Sequence, residues 1–81
     1  MSWNIVWTEP ALRSLRAMHW RTAARIDAAI LDYARAGRGR ITRLPSDDVM
    51  TVRLHVGAFV VRLSLDRPNG NMTVWSIYQP A

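Results

Sequence analysis

Arg53 and His55 stand two positions apart in a string where apolar and polar residues alternate, and Arg62 stands in the next such string. Guanidinium groups suit bidentate contacts to phosphate, and an imidazole changes its protonation state near neutral pH. Polar residues that alternate with apolar ones point to one face of a sheet. The three side chains therefore either form a site for a phosphate-bearing ligand or belong to an ordinary solvated sheet face, where arginines pair across strands.

A second basic group follows the first glycine of Gly37-Arg38-Gly39 and consists of Arg38, Arg40 and Arg43. The segment does not have the spacing of a phosphate-binding glycine loop, and it follows a predicted helix instead of a strand. Each arginine is expected either to contact a nucleic-acid phosphate, in a salt-dependent way, or to be an ordinary solvated loop residue.

Several classes of site are disfavoured by the composition. The chain has no cysteine, two histidines and one glutamate, Glu9. A structural metal site normally takes four histidine or cysteine ligands, and a carboxylate hydrolase needs a pair of acids. We therefore expect no metal, no cofactor and no carboxylate-based catalysis.

The composition predicts one globular domain over residues 1–81. Hydrophobic residues make up 49% of the chain, and 11 basic residues, all arginine, against 6 acidic ones give a net charge of +5. Such a field attracts polyanions. The apolar runs are short and no secretory leader is evident, so we expect a soluble, cytoplasmic protein with no membrane partner.

A strand and two helices are predicted in the first half of the chain. Apolar residues alternate over Ser2–Thr8, and Thr8-Glu9-Pro10 has the composition of a helix start, so a first helix is predicted from Glu9 to about Met18. After a corner at His19–Thr22, a second helix is expected to run to about Ala36, with Gly37 as its left-handed stop. The stretch Gly37–Asp48, which includes the turn-forming Pro45-Ser46-Asp47-Asp48, is predicted to be loop.

Three strands are predicted in the second half. Alternation indicates strands over 51–56 and 58–66, a hairpin at Asn69-Gly70, and a last strand from Met72 to Tyr78. The predicted fold is α+β, in the order β-α-α-β-β-β, with the two helices on one face of a small antiparallel sheet. The alternation places Phe59, Val61, Leu63 and Leu65 under the helices, and it places Thr51, Arg53, His55, Val60, Arg62 and Ser64 on the opposite, free face.

Two strings resemble the RelE/ParE superfamily of toxins from bacterial type II toxin–antitoxin systems. Residues 5–15, IVWTEPALRSL, are similar to the first strand and helix of that family, which end in Ala-Leu-x-x-Leu. Residues 52–61, VRLHVGAFVV, resemble the family string that leads to Gly-Asp-Tyr-Arg-Val. The resemblance spans nearly the whole chain and implies the fold predicted above.

The resemblance also implies a toxin neutralised by a cognate antitoxin. RelE-like members cut mRNA on the ribosome, using basic residues of the open sheet face and C-terminal residues. On that basis Arg53, His55, Arg62 and Tyr78 are the predicted catalytic residues: the arginines orient the scissile phosphate and stabilise its charge, and His55 passes a proton. Arg38, Arg40 and Arg43 are the predicted RNA-binding residues.

Other functions stay open. ParE-like members inhibit DNA gyrase, and a degenerate member would act only as a protein-binding module. Val60 stands where the family has an arginine, with Arg62 as the nearest replacement on the same face, and Tyr78 takes the place of a tyrosine in the tail of RelE-like enzymes. An exposed apolar remainder of the free face, Val60 with parts of the last strand, is expected to receive a partner segment such as an antitoxin.

Overall fold

The computed structural model describes residues 3–44 and 50–80, and within these residues it contains two helices and five strands. In chain order the elements are β1 (Asn4–Trp7), α1 (Glu9–Ala17), α2 (Trp20–Ala36), β2 (Arg40–Leu44), β3 (Met50–Val56), β4 (Phe59–Asp66) and β5 (Asn71–Tyr78). The sheet has the strand order β1-β5-β4-β3-β2. Strand β1 runs parallel to β5, and the other neighbouring pairs are antiparallel. The predicted α+β fold is confirmed, with one further strand.

Thr8 joins β1 to α1 and ties both to β5. Its side-chain oxygen accepts a hydrogen bond from the backbone N–H of Ala11 at 3.3 Å, which caps α1. The same hydroxyl lies 3.0 Å from the carbonyl oxygen of Val74 and 2.9 Å from that of Trp75, and its proton is shared between them. The start of α1 is therefore fixed against the last strand of the sheet.

The junction between the helices is shorter than the predicted corner at His19–Thr22. Helix α2 already begins at Trp20, because the Nδ1 atom of His19 accepts the backbone N–H of Arg21 at 3.2 Å and caps the helix. At the other end α2 stops at Gly37, whose φ of 68° is the left-handed conformation expected of a glycine stop.

The predicted loop over Gly37–Asp48 is wrong between Arg40 and Leu44, which form strand β2. This strand lies at the sheet edge and pairs antiparallel with β3, so that Ile41 lies opposite Leu54. An edge strand carries exposed charged side chains, and the period-2 signal that marks a half-buried strand is weak in it. The predicted turn at 45–48 lies outside the described residues.

The core lies between the helices and the inward face of the sheet. The largest fully buried side chains are Ile26, Ile30, Leu54, Leu63, Met72, Val52, Val61 and Val74. Burial of each such side chain contributes roughly 1.5–3 kcal/mol. The strand β4 residues predicted to face the helices do so: Val61, Leu63 and Leu65 belong to the core and Phe59 packs against it. This packing leaves the opposite face of the sheet uncovered by helices.

Candidate functional site

The sheet face that points away from the helices, called here the open face, carries three rows of side chains that cross β2, β3, β4 and β5. In strand order, row one is Arg40, His55, Val60 and Tyr78; row two is Thr42, Arg53, Arg62 and Ser76; and row three is Leu44, Thr51, Ser64 and Thr73. Adjacent strands lie about 4.8 Å apart and successive rows about 6.8 Å apart. The six residues predicted on the free face of β3 and β4 all lie in these rows.

Arg53 and Arg62 lie directly opposite each other in row two. Both side chains are exposed. Like charges at directly opposite positions repel each other, and none of the residues in rows one to three is acidic. A pair of guanidinium groups in this arrangement is suited to bind a phosphate group between them.

His55 lies beside this pair, in row one, and its ring is held by β2. The Nε2 atom of His55 lies 3.1 Å from the Oγ1 atom of Thr42. A threonine hydroxyl both donates and accepts, so the contact persists whether the imidazole is neutral or protonated. The Nδ1 atom remains for a second partner. Thr42 was not identified from the sequence because its segment was predicted to be loop, although the polar Thr42 follows the apolar Ile41 as it would in a strand.

Val60 occupies row one between His55 and Tyr78 and is only 5% exposed. The prediction that Val60 forms an exposed apolar part of the free face is therefore wrong, since its side chain is buried although it lies in a row of the open face. Tyr78, by contrast, is 39% exposed. It stands two strands from His55, roughly 10 Å between backbones, so the structure brings Tyr78 to the same face as the predicted basic residues.

The three predicted RNA-binding arginines do not share one surface. Arg40 lies on the open face, opposite His55, whereas Arg43 lies opposite Val52 and therefore on the helix side of the sheet. Arg43 lines a cavity of about 300 Å³ at the end of α2, together with Arg35 and Arg67 among others. Arg38 is exposed just before β2. Sequence alternation would have separated Arg40 from Arg43 if the segment had been read as a strand.

Trp75 is a further open-face residue, and sequence alternation alone does not place it. The pairing of β4 with β5 shifts between Arg62 and Leu63, which leaves Trp75 as an extra residue in β5. Its indole Nε1–H donates to the Oγ atom of Ser64 at 2.7 Å, and the side chain is 47% exposed. An aromatic ring therefore lies on the open face beside row two.

The described residues contain no group of three or more histidine, cysteine, aspartate or glutamate side chains placed to hold a metal ion. Within the same ranges, 3–44 and 50–80, no helix is both long and apolar enough to span a bilayer. The predictions of no metal and no cofactor stay predictions.

Comparison with known proteins identifies the fold. No family model matches the sequence, and no curated protein does. Among solved structures, the chain is similar to a chain of the archaeal RelE–RelB complex from Pyrococcus horikoshii OT3, with a TM-score of 0.85, 12% identity, and coverage of 98% of this chain and 96% of that chain. It is also similar to a chain of the toxin–antitoxin complex RelBE2 from Mycobacterium tuberculosis, with a TM-score of 0.77, 16% identity, and coverage of 99% and 100%.

Proposed function

From the RelE-like fold of this chain, we propose that it is the toxin component of a type II toxin–antitoxin system. In this proposal a cognate antitoxin holds it inactive in the cytoplasm, and the free toxin cleaves mRNA on the ribosome. Two observations support it: the fold agrees with that of a chain from each of the two complexes over nearly the whole length, and the open face brings arginine, histidine and tyrosine side chains together.

The observation that carries the enzymatic part is the Arg53–Arg62 pair. In cleavage by the 2′-hydroxyl of the substrate, the 2′-oxygen forms a bond to phosphorus and the bond from phosphorus to the 5′-oxygen breaks. Negative charge accumulates on the non-bridging oxygens of the phosphate. Two opposed guanidinium groups stabilise that charge more strongly in the transition state than in the bound substrate, which is the condition for catalysis.

The remaining roles concern protons and positioning. One proton leaves the 2′-hydroxyl and one is delivered to the 5′-oxygen. The Nδ1 atom of His55 carries out one of these transfers, since its Nε2 atom is held by Thr42. The Tyr78 hydroxyl, on the same face, donates a hydrogen bond to the departing oxygen. Arg40 binds a flanking phosphate on the open face, Arg38 contacts a phosphate at the sheet edge, and Arg43 contacts one on the helix side of that edge.

The antitoxin part is supported by exposed apolar surface. Among the described residues the large hydrophobic side chains with high exposure are Val6, Trp20, Leu44, Trp75 and Tyr78. Of these, Leu44, Trp75 and Tyr78 lie on the open face, and Val6 joins them because it pairs with Thr73. An apolar rim around a cationic centre fits a partner segment with apolar anchors and acidic residues.

The test of this proposal uses purified chain and ribosomes that hold a defined message. Mapping of the message ends should show cleavage within the codon in the ribosomal A site, and addition of the protein encoded by the adjacent reading frame should prevent it. Intact message at equimolar toxin and ribosome would contradict the endonuclease function. Whether the chain is a toxin would then be tested by the effect of its expression on growth.

Inhibition of DNA gyrase is the alternative, and Val60 favours it. The residue at the centre of row one is a buried valine where the resembled family has an arginine, so the row contains one cation fewer. Under this alternative the chain inhibits DNA supercoiling by purified gyrase and leaves message intact. A catalytically degenerate protein-binding module would do neither, and its expression would leave growth unchanged.

A further inference from the structure

We propose that Trp75 is a stacking platform for a base of single-stranded nucleic acid whose phosphate is bound by Arg62 and Arg53. The inference rests on the proposed nucleic-acid substrate and adds a base-binding position to it. The arginines, His55 and Tyr78 are assigned above to phosphates and protons of the substrate, whereas Trp75 would contact a base.

One β-bulge and two hydrogen bonds hold Trp75 in place. The β-bulge in β5 places it as an extra residue opposite the Arg62/Leu63 step. The side chain of Thr8 contacts its carbonyl oxygen at 2.9 Å. The Oγ atom of Ser64 accepts its indole N–H at 2.7 Å. A β-bulge redirects a side chain relative to the regular alternation of a strand, and here both the backbone and the ring of the residue are fixed.

The ring is nevertheless available to a ligand. Trp75 is 47% exposed, although tryptophan side chains are highly buried on average. The hydrogen bond to Ser64 is made through the edge of the indole and not through a ring face. A base stacks on such a face with little sequence preference, because every base has a π-face.

The position of Trp75 beside the cationic pair fits a nucleic acid as the occupant. Arg62 lies on the strand next to Trp75, and Arg53 lies one strand further. Adjacent strands are about 4.8 Å apart, so a phosphate between the two arginines leaves the base of the same or the next nucleotide over β5. Aromatic rings beside a cationic track form the usual surface for single strands.

The test measures binding and not cleavage, so that it is independent of the ribosomal assay. A fluorescent 2′-O-methyl RNA heptamer, which cannot be cut by its own 2′-oxygen, is titrated with the full chain at about 50 mM salt, where electrostatic contacts are strong. A heptamer of the same backbone without bases is titrated in parallel. The variants are Trp75→Leu, which removes the ring, and Trp75→Phe, which keeps a flat ring without the N–H donor.

Trp20→Leu is the matched control, because Trp20 is 68% exposed but stands at the start of α2, stacked against His19 and Arg21. Trp75→Leu should weaken binding of the base-bearing heptamer by about 5-fold to 150-fold. Trp75→Phe should retain most of the affinity, and Trp20→Leu all of it. The heptamer without bases should bind the wild type and Trp75→Leu equally.

Equal binding of the base-bearing heptamer by wild type and Trp75→Leu would overturn the inference, as would absence of wild-type binding. An equal loss on both heptamers would also overturn it, since Trp75 would then act through the fold or the charge. The same holds if Trp75→Leu weakens only binding to the purified antitoxin, because the ring would then be a protein contact. If Trp75 contributes to base binding but the ribosomal assay shows no cleavage, the stacking role of Trp75 stands and the endonuclease function is wrong.

Discussion

Arg53 and Arg62 lie directly opposite each other on β3 and β4, and both are exposed on the face of the sheet that points away from α1 and α2. Two like charges at opposed positions lower stability, and their rows contain no carboxylate. Such an arrangement is expected where an anion completes the surface. The repulsion within the pair therefore lowers the stability of the free sheet, and a bound phosphate would relieve it.

Arg53→Thr should stabilise the free protein. The change removes one of the two like charges and introduces a residue with high strand propensity, so the free energy of unfolding should rise by about 0.2–1 kcal/mol at low salt. Urea denaturation at two salt concentrations measures it, and the gain should shrink in about 1 M salt because charges are screened. Arg53→Lys, which keeps the charge, is the control. A loss of stability in Arg53→Thr would show that Arg53 holds the sheet together.

Gly39→Ala should destabilise the fold more than Gly70→Ala. Both glycines have positive φ, 142° and 68° respectively, so both substitutions introduce backbone strain. Only at Gly39 would the new Cβ meet another side chain, the Cδ1 atom of Leu54 at 2.7 Å, whereas at Gly70 it meets nothing within 4 Å. We expect a loss of about 2–4 kcal/mol at Gly39 and about 1–2 kcal/mol at Gly70. Equal losses in thermal denaturation would contradict the close packing of Gly39 against the side chain of Leu54.

Sequence reasoning succeeded where burial imposes a strong pattern. The alternation of Val52 and Leu54 with Arg53 and His55 gave the correct face for each, because one face of β3 packs on the helices. The Asn69-Gly70 turn was equally visible, since the φ of 68° at Gly70 needs a glycine there.

It failed where the determining contact is distant in sequence. Strand β2 obtains its hydrogen bonds from β3, and its own residues are mostly exposed, so Arg40–Leu44 resembled a loop. Because β2 was not predicted, the placement of Arg40 and Arg43 on opposite faces and the contact of Thr42 with His55 were not predicted either. A β-bulge in β5 breaks the regular alternation at Trp75. Its carbonyl oxygen is bound by Thr8, which lies at the other end of the chain.

Thr42→Val should impair cleavage without unfolding the protein. Valine keeps the β-branched shape suited to a strand but removes the hydroxyl that holds Nε2 of His55. Loss of that positioning should slow ribosomal cleavage by about 10-fold to 100-fold, since a displacement of about 1 Å can cost 100-fold. Thr51→Val, on the same face in row three, is the control and should cleave normally. Equal cleavage rates for Thr42→Val and Thr51→Val would show that Thr42 does not position His55 for the reaction.

Thr8→Ala should lower the free energy of unfolding by about 1–2 kcal/mol. The substitution removes the cap of α1 and the contacts to the carbonyl oxygens of Val74 and Trp75. Thr8→Ser keeps the hydroxyl and should lose less than half as much in the same chemical denaturation series. If serine and alanine were equally destabilising, the methyl group of Thr8, and not its hydroxyl, would be the stabilising element.

The central claim is that the opposed arginines of the open face act on the phosphate of a message. Single-turnover cleavage on programmed ribosomes tests it with Arg53→Ala, Arg62→Ala and the double variant, against Arg13→Ala/Arg16→Ala, which removes two exposed charges from α1. Circular dichroism establishes that each variant is folded. The account predicts that each open-face substitution slows cleavage by about 100-fold or more, while the α1 variant cleaves at the wild-type rate. Cleavage by the folded Arg53→Ala/Arg62→Ala variant at the wild-type rate would contradict it.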